Sequence, residues 1–276
     1  MEDGSERGGF FLTLLSVFRY RKTNMMDISE FVLIGLAALM GGAVNALAGG
    51  GTLITFPTLT AVGVPAVGAN ITNTVALCPG YLGGTFAQLD DLRGRRRIWP
   101  LAVVSLAGGV AGGILLLLTA EETFRRLVPY LILFASLLLA AQDRVRAWLS
   151  QRHGETGEME NEAFSIIAVG IAAVYGGYFG AGLGVITMAV LGLALHDTMT
   201  RLNAIKQFIA LFANIAAAAF FLFSGKVVWP AALVMMVGAL AGGSLGGRIA
   251  GRINPGVLRR IVVAVGLIIA GIYFVR

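Results

Sequence analysis

Charge is scarce in this chain: of 276 residues only 13% are Asp, Glu, Lys or Arg, against 57% hydrophobic, and the mean hydropathy is +0.82. So little polar surface excludes a soluble domain of this length and predicts a polytopic membrane protein. Cysteine is nearly absent too. The single Cys78 lies in an apolar stretch, which excludes an intramolecular disulfide and leaves a small buried thiol. No basic run interleaves with aromatics, so the net charge of +6 points to no nucleic-acid partner. It sits mostly in short connections, where it orients a chain in the bilayer. Carboxylates are missing from the apolar stretches: Asp27, Glu30, Asp90, Asp91, Asp143 and Asp197 all fall at ends or loops. No Ser/His/Asp, Cys/His or metal-ligand spacing occurs within them, and no strand or Gly-Lys-Ser/Thr accompanies the glycines. The residues therefore give no reason to expect an enzyme, a metal or a cofactor.

What the chain has is long apolar stretches, at about 31–62, 66–89, 98–118, 127–142, 163–195, 199–223, 227–247 and 257–275, set against the roughly 20 residues a crossing needs. The expected fold is all-α, about eight transmembrane helices in two four-helix repeats, each opened by a glycine-broken helix. The duplication rests on matched landmarks. Trp99-Pro100 and Trp229-Pro230 both open a third span, Gly108/Gly112/Gly113 answer Gly238/Gly242/Gly243, and Asn70 falls opposite Asn203. The division is then a cytoplasmic N-terminal tail (1–27), a first repeat (28–142), a solvated linker (143–162) and a second repeat (163–276). Within the tail, Phe10 to Phe18 is too short to span, and Glu2, Asp3 and Glu6 before it do not suit a signal peptide.

The first stretch of each group is too long for one straight crossing. Some 32 residues would reach close to 50 Å at about 1.5 Å per residue. Ala48-Gly49-Gly50-Gly51-Thr52 and Gly180-Ala181-Gly182-Leu183-Gly184 divide a long helix from a short one, as a kinked crossing or a re-entrant hairpin. The choice changes the parity of crossings, so parallel and inverted repeats both remain open. With one crossing per broken stretch, the tail, Arg93 to Arg97 and the linker share the cytoplasmic side, while Arg125, Arg126, Arg248, Arg252, Arg259 and Arg260 fall outside, against the usual bias.

A helix broken inside lipid frees N–H and C=O groups that only protein or a wet cavity can satisfy. Such breaks in corresponding positions of two halves point to a transport site. The N-termini of the short helices, at Gly50, Gly51 and Thr52 and at Gly182 and Gly184, would offer backbone donors to an anion. Lys206, about two turns into a span, would neutralise it, with Asn203, Gln207 and Asn214 on or beside its face. Snorkelling to the interface is the alternative for Lys206. In the first half Asn70, Thr72 and Asn73 form the matching polar cluster, with polar glue between helices as their alternative. Gly108/Gly112 and Gly238/Gly242 read as close-packing positions, Trp99 and Trp229 as interface anchors, and His196-Asp197 as a turn or cap.

The run Gly41-Gly42-Ala43-Val44-Asn45 through Gly49-Gly50-Gly51-Thr52 to Phe56-Pro57, followed by Pro65 and Asn70-Ile71-Thr72-Asn73-Thr74, resembles the first half of the sulfite exporter TauE/SafE family of permeases. Gly176-Gly177-Tyr178-Phe179-Gly180-Ala181-Gly182, Asn203-Ala204-Ile205-Lys206 and Ser224-Gly225-Lys226-Val227-Val228-Trp229 are similar to its second half. The resemblance implies a multi-pass protein of the bacterial inner membrane that moves sulfite, sulfonates or related small anions, with no cofactor. Its expected partners are that anion, the lipid bilayer and, as an open question, further copies of itself. The resulting expectation is a secondary transporter working by alternating access around a midplane site. An anion channel and a non-transporting membrane scaffold are the competing readings.

Overall fold

The computed structural model describes residues 26–47, 50–86, 88–92, 98–152, 162–195, 197–249 and 255–275, and among these every extended element is an α-helix. The first half contains α1 (Ile28–Leu47), α2 (Thr52–Ala61), α3 (Ala66–Phe86), the single turn α4 (Leu89–Leu92), α5 (Ile98–Leu118) and α6 (Glu121–Arg152). The second half contains α7 (Glu162–Tyr178), α8 (Leu183–Ala194), α9 (Met199–Leu222), α10 (Trp229–Ile249) and α11 (Pro255–Val275). Five helices, α1, α5, α6, α9 and α11, are long and apolar enough to cross a membrane, and α2, α7, α8 and α10 carry shorter apolar segments. Three helix starts are legible in proline, which fits the first turn where N–H groups lack partners anyway: Pro100 is the third residue of α5, Pro230 the second of α10 and Pro255 the first of α11.

Both glycine clusters break the helix into a hairpin rather than a kink. A Cβ on Gly41 would stand 2.6 Å from Thr55 Cγ2 and 3.2 Å from the Gly51 carbonyl oxygen, so α2 folds back along α1. In the second half the Tyr175 hydroxyl donates to the Ala181 carbonyl at 2.6 Å and Gly176 abuts Leu183, turning α8 back from α7. Gly50 and Gly182 make the turns at φ of 93° and 79°, backbone that a side chain strains. With 10 and 12 residues, α2 and α8 reach about 15 and 18 Å, half a bilayer.

The chain differs from the expected spans at α6, which extends beyond 127–142 at both ends and stays helical through the first ten residues of the segment read as a linker. Hydropathy sees only its apolar middle; the flanking Glu121, Glu122, Arg125, Arg126, Arg144 and Arg146 are good helix formers that happen to be charged. Residues 153–161 of that linker, residues 1–25 of the tail, Ala48, Gly49, Arg93 to Arg97 and His196 lie outside the described residues.

Packing exchanges partners between the halves. The first helix of each half lies against the Trp-Pro helix of the other, α1 on α10 and α7 on α5. The two crossings share one register: a Cβ on Gly242 would meet the Leu39 carbonyl at 1.9 Å, and one on Gly112 the Val174 carbonyl at 2.1 Å. Such backbone contact is how helices associate in lipid, where burial adds little between apolar surfaces. These glycines close the crossings, as expected. α3 and α9 pack on each other, as do α6 and α11, while α6 also meets α8 and α11 meets α2.

Contacts fix the direction of every helix. Val64, Ala66, Glu121, Lys226 and Tyr273 gather at one face, tied by the Val67 N–H to the Glu121 carboxylate, the Val228 N–H to Thr72 Oγ1 and the Thr60–Tyr273 hydroxyl pair. Gln88, Asp143, Leu149, Asn203 and Arg259 gather at the opposite face. The α1/α2 hairpin opens to the first face and the α7/α8 hairpin to the second.

Candidate functional site

The two hairpin tips meet in the interior. Gly50 and Thr52 from the first and Gly180, Ala181, Gly182, Leu183 and Gly184 from the second enclose a cavity of about 30 Å³, completed by Asn45, Tyr81, Lys206, Gln207 and Ala210. That volume holds a water or two and no larger guest. A much larger groove of about 1230 Å³ opens at the first face between α2, α6 and α11. It is mainly apolar, its charged residues sit at the helix starts, and it includes neither hairpin tip.

Backbone chemistry distinguishes the small cavity. Around the α2 start, Leu53, Ile54 and Thr55 donate to the carbonyls of Gly50 and Gly51; around the α8 start, Leu183, Val185 and Ile186 donate to those of Gly180 and Gly182. The N–H groups of Thr52 and Gly184 have no partner among the described residues, and neither helix carries a side-chain cap. Two half-helices thus present free donors and positive dipole ends to one space.

Lys206 enters the same space from α9. Its aliphatic stem passes over Gly184, where a Cβ would meet Cδ at 3.6 Å, and its ammonium donates to Asn203 Oδ1 at 2.7 Å. Asn203 in turn donates to Gln88 at 2.8 Å. Among the described residues the ammonium has hydrogen bonding but no carboxylate partner, an expensive state inside a membrane unless an anion joins it.

Of the residues anticipated from sequence, Gly50, Thr52, Gly182, Gly184 and Lys206 line this cavity, and Asn203 touches it through Lys206. Gly51 lies just behind the wall against Gly41. Asn73 reaches the wall through Thr52, donating to its Oγ1 at 3.4 Å, while Asn70, Thr72 and Asn214 bond elsewhere. Asn70 donates to the Tyr178 carbonyl at the end of α7 (2.8 Å), Thr72 accepts from Val228, Asn73 accepts from Thr55 Oγ1 at 2.5 Å, and Asn214 donates back to Ala210 in its own helix (2.8 Å). Asp197 behaves as the turn element expected of it, accepting from the Thr198 N–H at 2.8 Å and pairing with Arg201.

The sequence pattern of the sulfite exporter TauE/SafE family matches residues 33–274, which spans both hairpins and the cavity. The chain belongs to this family. Its curated relatives are membrane transporters by name: "Probable membrane transporter protein YfcA" of Escherichia coli K12 is 24% identical over 90% of this chain and 91% of its own length. A "Probable membrane transporter protein" of Haemophilus influenzae is 28% identical over 86% and 92%, and "Probable membrane transporter protein ORF9" of a Sinorhizobium species 26% over 89% and 94%. No solved structure matches. As a TauE/SafE protein the chain is a multi-pass membrane permease, a transporter rather than an enzyme by family.

Asn45, Tyr81 and Ala210 are the cavity residues that sequence reasoning missed, along with Gln207, noted beside Lys206 but not assigned. Asn45 and Tyr81 both line the cavity beside Lys206. The available signal was a lone amide five residues before a glycine break and a lone phenol in the middle of a span.

Proposed function

We propose that this TauE/SafE permease is a secondary transporter of the bacterial inner membrane that exports small oxyanions or sulfonates by alternating access. The observation that carries this reading is the meeting of the two half-helix starts, at Thr52 and Gly184, with Lys206 around one small cavity. Three positive elements, with no carboxylate among the described residues of its lining, favour an anion. The planar or tetrahedral oxygens of a sulfur oxyanion can accept from both half-helices and from Lys206 at once.

Apart from the single turn α4, the long and short helices follow in the same order in both halves, and each hairpin returns to the face it started from. This order supports reading the second half as an inverted copy of the first, the arrangement in which two repeats rock around a fixed central site. The face that gathers Arg144, Arg146, Arg259 and Arg260, at the end of α6 and the start of α11, is read as cytoplasmic. That orientation puts the start of α1 on the outer face, opposite to the position expected for a chain whose broken stretches each cross once.

The test is flux in proteoliposomes with sulfite, sulfate, sulfoacetate and acetate. Wild type moves a sulfur oxyanion or sulfonate, and Lys206→Gln lowers that flux by about 100-fold, the scale of one lost charge-assisted contact in a dry site. Undiminished flux in a folded Lys206→Gln protein refutes the role of the lysine.

A further inference from the structure

α6 runs past both hairpin tips and then on to the cytoplasmic face. Gly182 lies against Ala135 and Leu138, and Gly50 against Leu139, where a Cβ would sit 3.0 Å from Cδ2; Gly192 of α8 is covered by Leu149 farther along. Positions 135, 139, 142, 146 and 149 fall on one helical face. Between the apolar contacts, that face carries Gln142 and Arg146. Gln142 is only 6% exposed, and its Oε1 has no hydrogen-bond partner. Arg146 is partly buried and has neither an ion pair nor a hydrogen bond among the described residues.

Arg259 of α11 stands across from this stretch. It is 3% exposed, its Nη1 contacts the Asp143 carboxylate, and its Nε is buried without a partner. Asp143 is the opposite kind of residue, with 67% of its side chain exposed. A buried guanidinium with spare donors held by one solvent-facing carboxylate is a weakly closed clasp: the carboxylate can return to water at little cost, whereas the arginine cannot. Along α6, which passes both hairpin tips, cations thus continue from the cavity side toward the cytoplasmic face, and Asp143 is the acidic group that meets Arg259.

We propose that Gln142, Arg146 and Arg259 form a second anion station between the Lys206 cavity and the cytoplasmic face, and that Asp143 is a built-in carboxylate that an arriving small oxyanion displaces from Arg259. The proposal rests on the anion-transport reading above. The free donors of Arg259 and Arg146 receive the anion's oxygens, and the Gln142 amide, whose oxygen now faces nothing, turns its NH₂ toward them. Breaking the clasp removes one tie between α6 and α11, the helices that pack on α8 and α2, so anion arrival loosens that end of the cover. In the empty protein the clasp keeps that cover shut.

The test measures sulfite and sulfate uptake into oriented vesicles, adding anion to one face at a time. Arg146→Gln, whose side chain holds nothing else in place, raises KM about tenfold for anion added at the cytoplasmic face and leaves the opposite face unchanged. Asp143→Asn lowers that same cytoplasmic-face KM several-fold because the internal competitor is gone; Asp143→Glu, which keeps the charge, restores it. Unchanged KM in Arg146→Gln and Asp143→Asn, in vesicles where Lys206→Gln abolishes flux, overturns the station and leaves the cavity reading standing. Wild-type vesicles that move neither anion overturn both.

Discussion

A lysine ammonium inside a bilayer must be held by hydrogen bonds, by an anion or by a route to water, and Lys206 is held by a hydrogen bond to Asn203. Its neighbours divide by what they can exchange. Asn73, Thr72 and Asn214 have their polar groups bonded to protein, whereas Tyr81, Asn45 and Gln207 face the cavity. Tyr81→Phe is therefore expected to raise KM for the transported anion by up to about tenfold while changing stability by about 1 kcal/mol or less. Flux kinetics beside a thermal melt in detergent check this, and a large loss of stability with unchanged KM contradicts it. Lys206 was legible in the sequence as an embedded charge. The cavity tyrosine was not, because a phenol in a span serves equally well as packing or as an interface anchor.

At the scale of elements, the glycine crossings hold the helices at backbone contact. Gly112→Ala and Gly242→Ala each drive a methyl group into a carbonyl of the facing helix. The two changes are expected to destabilise alike, by about 1–3 kcal/mol or more, since a backbone atom cannot step aside as a side chain does. Gly271→Ala, which meets nothing within 4 Å, is the neutral control. Yields of monodisperse protein by size exclusion distinguish the three, and tolerance of Gly112→Ala contradicts the shared-register contact. Glycine spacing announced these crossings. It did not reveal that each pairs helices from opposite halves, because periodicity marks a face and not its partner. α6 shows the same limit differently: its charged ends read as loop and linker, yet helix propensity carries the helix through them.

At the scale of the whole molecule, the hairpins decide the orientation of everything after them. Single cysteines at Glu122 and Lys226, in a background lacking Cys78, are expected to react with an impermeant maleimide added outside intact cells. One at Arg144 is expected to react only after permeabilisation. The reverse pattern would invert the assignment of faces, and labelling of all three from outside would break the inverted-repeat topology.

Composition alone determined that this chain is helical and membrane-embedded, because 57% hydrophobic residues have no other stable home. Its motifs also marked the family, the two breaks and the lysine. Only the tertiary structure decided that the breaks are hairpins, that their tips and Lys206 enclose one cavity, and which asparagines face it. Those outcomes depend on contacts between residues more than a hundred positions apart, such as Asn70 with Tyr178 or Thr72 with Val228. A local pattern can place a polar group on a helix face; which neighbour that face meets is settled by the packing of the other half.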